Sequence, residues 1–209
     1  MTYAGLRDAS EAVAQWFARQ GVKSGDRTVV LGGNWLGWVL AYLAGLRLGA
    51  IVSPANNRLN PSQFAEQWAL LDARLVAYDA THEELAKASG RPLARLEDLE
   101  ELAPGPAPMR IPWPEPDMDA LISFTSGTTG VPKGAVLTHA ALLGASRGIV
   151  ARVSLRCGDS TLVLVPLLHN TGFVDHWARC SSLGAVLICC GGSAQPTRST
   201  NSVVGPSRI

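Results

Sequence analysis

An excess of charge of either sign is missing from this chain. Its 209 residues carry 18 Lys and Arg against 17 Asp and Glu, a formal net charge of +1. Charge-driven binding to nucleic acid or to an anionic membrane needs a surplus of Lys and Arg or a dense basic run, and neither is present. A long apolar run is missing too. The longest, Trp35 to Leu46, is cut by Arg47 and falls short of a bilayer span, so it reads as a buried helix and no transmembrane segment is expected. The opening residues, Met1-Thr2-Tyr3-Ala4-Gly5-Leu6-Arg7-Asp8, have neither a basic stretch nor an apolar core, which argues against a secretory signal. Cysteine is scarce: Cys157, Cys180, Cys189 and Cys190 form no Cys-x-x-Cys pair. Neither a zinc site nor a disulfide framework is therefore expected, and reduced thiols in a cytoplasmic protein fit best. Glycine and proline are only modestly enriched, which excludes collagen-like and low-complexity chains. What is present is 47% hydrophobic residues, enough for one good-sized domain or two small ones with a substantial core.

Helical and strand patterns alternate from the start. Ala4 to Gln20 carries Leu6, Ala9, Val13, Trp16 and Phe17 at helical spacing, with Gly21 as the stop. Arg27 to Leu31 reads as a buried strand. Asn34 is expected to cap a helix running to Leu48 and closed by Gly49, and Ala50 to Ser53 is a second strand. Asn60-Pro61-Ser62-Gln63 opens a helix with a capping side chain, Pro at the first helical position and Gln three residues past the cap. Leu75 to Tyr78 is a third strand, and Thr81-His82-Glu83-Glu84 reads as a capping box for a short helix. Regular alternation of this kind implies βαβ crossovers and a parallel sheet. Six prolines between Pro104 and Pro116 interrupt it and read as an extended connector. Strands are then expected at Asp119 to Phe124, Gly134 to Leu137 and Thr161 to Val165. Thr138 is expected to cap a helix reaching about Arg152, and Phe173 to Leu183 reads as another helix.

One segment carries the chemistry: Thr125-Ser126-Gly127-Thr128-Thr129-Gly130-Val131-Pro132-Lys133-Gly134. Glycines let backbone N–H groups turn inward into an anion nest. Hydroxyls add donors to phosphate oxygens and Lys133 adds a point charge. A polyphosphate suits such a loop, although a Gly/Ser/Thr-rich hairpin without a ligand has the same composition. The Walker pattern fails here, because Lys133 follows Pro132 and precedes Gly134.

The segment resembles the phosphate-loop signature of the adenylate-forming superfamily: acyl-CoA synthetases, luciferases and the adenylation domains of peptide synthetases. Every position of the pattern Thr-Ser-Gly-Thr-Thr-Gly-x-Pro-Lys-Gly is matched. Gly21-Val22-Lys23-Ser24-Gly25-Asp26-Arg27, Leu43 to Pro54 and Asn57-Arg58-Leu59 resemble the acyl-CoA synthetase branch. Val165-Pro166-Leu167-Leu168-His169-Asn170 is similar to a further motif, whose histidine borders the acyl pocket. The resemblance implies an α/β fold, part of the large N-terminal adenylating domain, with mostly parallel sheets flanked by helices. It implies a reaction in which a carboxylic acid attacks the α-phosphate of ATP, followed by transfer of the acyl group to a thiol such as coenzyme A. By position, Thr125, Ser126, Gly127, Thr128, Thr129, Gly130 and Lys133 would hold the β- and γ-phosphates, with Mg²⁺ offsetting charge, and His169 would border the acyl pocket.

The family's adenine motif, its ribose-binding aspartate and its catalytic lysine have no counterpart in this sequence. No complete catalytic set is therefore expected, and the 209 residues alone are expected to be inactive or at most to bind polyphosphate weakly. Residues 1–175 are expected to follow the family. From His176 onward Asp, Glu and Lys vanish and three of the four cysteines appear. A divergent tail over 176–209, such as a shifted reading frame in a GC-rich gene produces, is the expectation, with 191–209 disordered. A last motif, Gly144-Ala145-Ser146-Arg147-Gly148, matches a hydrolase nucleophile elbow, with Asp159 or Asp175 and His176 as triad partners. An elbow requires a strand before it and a helix after it, whereas Ser146 falls inside a predicted helix.

Overall fold

The computed structural model describes residues 1–102, 110–125, 132–153, 156, 159–169, 172–173, 186–190 and 201–204. Helix α1 (Tyr3–Arg19) leads into strand β1 (Arg27–Leu31), α2 (Leu36–Arg47), β2 (Ile51–Pro54), α3 (Pro61–Leu71) and β3 (Leu75–Tyr78). A 3-10 turn (Ala80–His82) and the short α4 (Glu83–Lys87) follow, then β4 (Leu93–Arg95) and α5 (Leu96–Glu100). Past the proline-rich stretch come β5 (Asp119–Thr125), β6 (Lys133–Thr138), α6 (His139–Val153), β7 (Ser160–Val163), β8 (Val186–Cys190) and β9 (Asn201–Val204). Six strands form one sheet in the order β4-β3-β1-β2-β5-β6, and β7-β8-β9 form a second. All neighbours in the larger sheet are parallel except β5 and β6.

The strands read as continuous apolar runs because both faces of the sheet are covered. Their period of two then sorts the side chains. Val30, Val52, Leu75, Ala77 and Leu121 join one buried cluster with Val13 and Phe17 of α1 and Trp38 to Tyr42 of α2. Val29, Leu31, Val76 and Tyr78 join another with Phe64 and Leu71 of α3 and Ala86 of α4. Gly49 closes α2 at a φ of +71°, a left-handed conformation that glycine adopts without strain. The proline-rich stretch is fastened where it passes α2. The Arg47 guanidinium donates to the Ile111 and Pro112 carbonyls at 2.8 and 3.0 Å, pairs with Glu11 at 2.8 Å and lies 4.0 Å from the Trp113 ring centroid.

Several local expectations are met closely. Asn60 forms the capping box with Gln63, and the Thr138 hydroxyl accepts from the Ala141 amide at the start of α6. Others need correction. Asn34 does not cap α2: the residue at that position is Trp35, whose side chain makes no cap bond, and the Glu100 carboxylate of α5 accepts from the Gly37 amide instead. Thr81 does not open a capping box either. The Asp79 carboxylate, a stronger acceptor two residues earlier, takes the Thr81 amide and hydroxyl. Strand β4 and helix α5 have no counterpart among the sequence expectations, because three and five residues are too short to display a period. Within 191–209, expected to lack regular structure, Asn201–Val204 pairs antiparallel with β8, a pairing that suits the β-branched Val203-Val204. The helix expected over Phe173 to Leu183 lies, beyond Phe173, outside the described residues.

Candidate functional site

Strands β1, β2, β3 and β5 run in parallel, so their carboxyl ends share one edge of the sheet, where loops of α/β folds carry ligands. The signature loop leaves from that edge. Thr125 ends β5, Lys133 begins β6, and the two face each other in the last register pair of an antiparallel hairpin. Residues 126–131, and with them Ser126, Gly127, Thr128, Thr129 and Gly130, lie outside the described residues. Lys133 is exposed at the hairpin mouth. Among the described residues no group of three or more His, Cys, Asp or Glu could hold a metal ion.

His169 belongs to a second turn. Its amide donates to the Pro166 carbonyl at 3.1 Å, and its carbonyl accepts from the amides of Gly172 and Phe173 at 2.9 and 3.1 Å. The imidazole side is exposed, whereas Leu167 and Phe173 are buried on either side. The Phe173 ring lies 3.8 Å from Tyr42 and 5.7 Å from Trp38, centroid to centroid, which fastens the turn to α2.

Two side chains at the same sheet edge escaped the sequence reading. Asn34, expected as a helix cap, sends its carboxamide to the backbone of Val165 and Leu167. Asp79, at the end of β3, is almost fully buried and accepts from Gly33, Thr81 and His82. Burial pushes its carboxyl upward, but the hydrogen bonds from His82 and Thr81, the His82 charge and the Gly33 amide outweigh this and hold it below its ordinary value. No local pattern announces the contacts of Asn34 or the bond from Gly33 to Asp79, because those partners are distant in sequence. A depressed acid stabilises the fold fully above its unfolded pKa of about 3.9, and the contribution is lost as pH falls through the lower folded value. Replacing Asp79 by Asn is expected to flatten the loss of stability below about pH 5, read from urea midpoints across pH. Parallel curves for the two proteins would contradict it. A separate open cleft of about 490 Å³, lined by Leu59, Pro61, Thr81, His82, Glu83 and Leu85 among others, contains none of the signature residues.

Ser146 sits in the interior of α6, buried and with no hydrogen-bond partner for its hydroxyl among the described residues. The strand-to-helix turn of a nucleophile elbow is not found there, and Asp159 instead accepts from the Arg156 amide at 2.7 Å.

Comparison with known proteins gives the hairpin its context. Residues 1–203 match the family described as AMP-binding enzyme. The chain belongs to that family. The matched span includes residues 176–203, which the change in composition sets apart. Among curated proteins, the chain is 28% identical over 199 residues to the medium-chain fatty-acid–CoA ligase of Escherichia coli (strain K12), covering 83% of this chain and 34% of that one. It is 32% identical over 171 residues to the feruloyl-CoA synthase of an Amycolatopsis species, covering 81% and 34%. The chain thus spans about a third of the length of these relatives. In fold it is similar to the inhibitor-bound N-terminal domain of FACL13 from Mycobacterium tuberculosis, with a TM-score of 0.80, 23% identity and coverage of 93% of this chain and 51% of that one. The α/β architecture of a mostly parallel sheet flanked by helices is that of the N-terminal adenylating domain.

Proposed function

We propose that these residues supply the polyphosphate-binding part of an ATP-dependent carboxylate activation, the first step of acyl-CoA formation. The observation that carries the reading is the β5–β6 hairpin, whose register closes the signature loop between Thr125 and Lys133 at the ligand edge of the sheet. Membership of the AMP-binding enzyme family, with CoA ligases among its relatives, supports the reaction class. In that reaction the carboxylate oxygen attacks the α-phosphorus, the bond to the bridging oxygen breaks, and pyrophosphate leaves with the negative charge. Thr125, Ser126, Gly127, Thr128, Thr129, Gly130 and Lys133 offer amides, hydroxyls and an ammonium to that charge, which is electrostatic stabilisation of a leaving group. Mg²⁺ would supply further charge neutralisation when bound with ATP. His169 would border the acyl group, and coenzyme A would accept it. Among the described residues no helix is long and apolar enough to cross a membrane.

A polypeptide of these 209 residues alone is expected to bind ATP or pyrophosphate without making acyl-adenylate. Adenylation also requires the α-phosphate to be held in line with the acid, and misplacement by about an ångström costs about a hundredfold in rate. The sequence has no counterpart of the family's ribose, adenine and catalytic-lysine positions. Calorimetry with pyrophosphate together with an ATP–pyrophosphate exchange assay tests both halves of the reading. Binding without exchange is the expected outcome. Brisk exchange would refute the inactivity, and absence of binding would refute the cradle.

A further inference from the structure

We propose that Asn34 is a positioning residue, whose carboxamide fixes the turn that presents His169, making the loop after β1 and the histidine turn one rigid wall. The proposal rests on the reading of His169 as a residue bordering the acyl group. Its basis is a pair of hydrogen bonds across the whole fold. Asn34 Nδ2 donates to the Val165 carbonyl at 2.9 Å, and its Oδ1 accepts from the Leu167 amide at 2.7 Å. A carboxamide offers donor and acceptor side by side, and here it meets a backbone C=O and N–H two residues apart, as a neighbouring strand would. Asn34 is itself only 8% exposed, so these bonds compete little with water.

The restraint passes from there to the histidine without slack. The Pro166 carbonyl, between the two bonded residues, accepts from the His169 amide, and the His169 carbonyl takes the Gly172 and Phe173 amides. Gly172 lies so close to the Pro166 carbonyl that a Cβ would collide with it. Phe173 then rests on Tyr42 and Trp38 of α2. The turn is fastened at one end by Asn34 and at the other by Phe173, with an exposed His169 between them. Asn34 is held in its turn, because the adjacent Gly33 amide donates to Asp79 at 3.0 Å and the Gly37 amide to Glu100 at 2.6 Å. An outward-facing side chain on a backbone restrained from both sides is how a binding residue is preorganised.

Asparagine and aspartate have the same size but differ as donors, which separates positioning from filling of space. In the whole 209-residue chain, Asn34→Asp keeps the acceptor for Leu167 and, while ionised, has no donor for Val165. We expect its His169 and Phe173 amides to exchange at least tenfold faster than in the unaltered chain near neutral pH, with protection recovering as the carboxyl is protonated. The His169 Cε1–H resonance should follow the same midpoint, each point being compared with the unaltered chain at equal pH. Amides of Val29 and Val76 in the sheet should stay within twofold. Asn34→Ala should show the same acceleration without the pH dependence, and if it fails to fold, Asn34→Asp decides alone. An Asn34→Asp protein indistinguishable from the unaltered chain at every pH would overturn the proposal, as would equal acceleration at Val29, Val76 and the turn. Neither readout uses ATP or an acid, so failure here leaves the polyphosphate reading standing, and the reverse also holds.

Discussion

Trp38→Ala is expected to destabilise the protein by about 3–5 kcal/mol, the usual range for removing a large aromatic side chain from a core. Trp38 is fully buried on α2, stacked on Tyr42 at 5.2 Å with an interplanar angle of 22° and tilted against Phe173 at 5.7 Å. Its loss leaves a cavity where three aromatic rings meet, and that place joins α2 to the histidine turn. The Trp38 Nε1 finds no hydrogen-bond partner among the described residues, so Trp38→Phe should cost far less. Urea unfolding of both variants checks this: the midpoint should fall steeply for Ala, with an unchanged slope. A loss below about 1 kcal/mol for Trp38→Ala would show that the ring cluster is loosely packed.

Lys133→Ala is expected to weaken binding of pyrophosphate or ATP by tenfold or more. A hydrogen bond to a charged group contributes about 1.5–3 kcal/mol, and tenfold corresponds to about 1.4 kcal/mol. Lys133 is exposed at the start of β6, so its removal should leave stability nearly unchanged. Lys133→Arg keeps the charge but spreads it over a planar fork, and should retain part of the affinity. Calorimetry at fixed ionic strength measures the series, because exposed charge pairs are screened by salt. Equal affinity in the Ala variant would remove Lys133 from the site.

How much of this was legible in the sequence depends on the range of the interaction that decides each feature. The strands expected at Arg27 to Leu31 and Leu75 to Tyr78 match β1 and β3 to the residue, because a buried strand is a short apolar run bounded by turn residues. The Asn60 capping box was equally plain, since all its partners lie within four residues. Asn34 departs from its expected role for the opposite reason. Its type suits a helix cap and its position precedes a helix, yet its partners lie 131 and 133 residues away. Asp79 holds Thr81 and His82 within three residues, but its bond from Gly33, 46 residues earlier, has no local pattern to reveal it. The signature hairpin was legible as composition and as resemblance, but the pairing of Thr125 with Lys133 emerges only from the sheet.

The loop between β5 and β6 is expected to receive polyphosphate, and a titration with inorganic pyrophosphate followed by amide resonances tests this most directly. Saturable shifts are expected at the amides of residues 125–131 and at Lys133, smaller in Lys133→Ala, with the amides of β1 and β3 unmoved. Saturable shifts confined to another part of the chain, or none up to millimolar pyrophosphate, would contradict it.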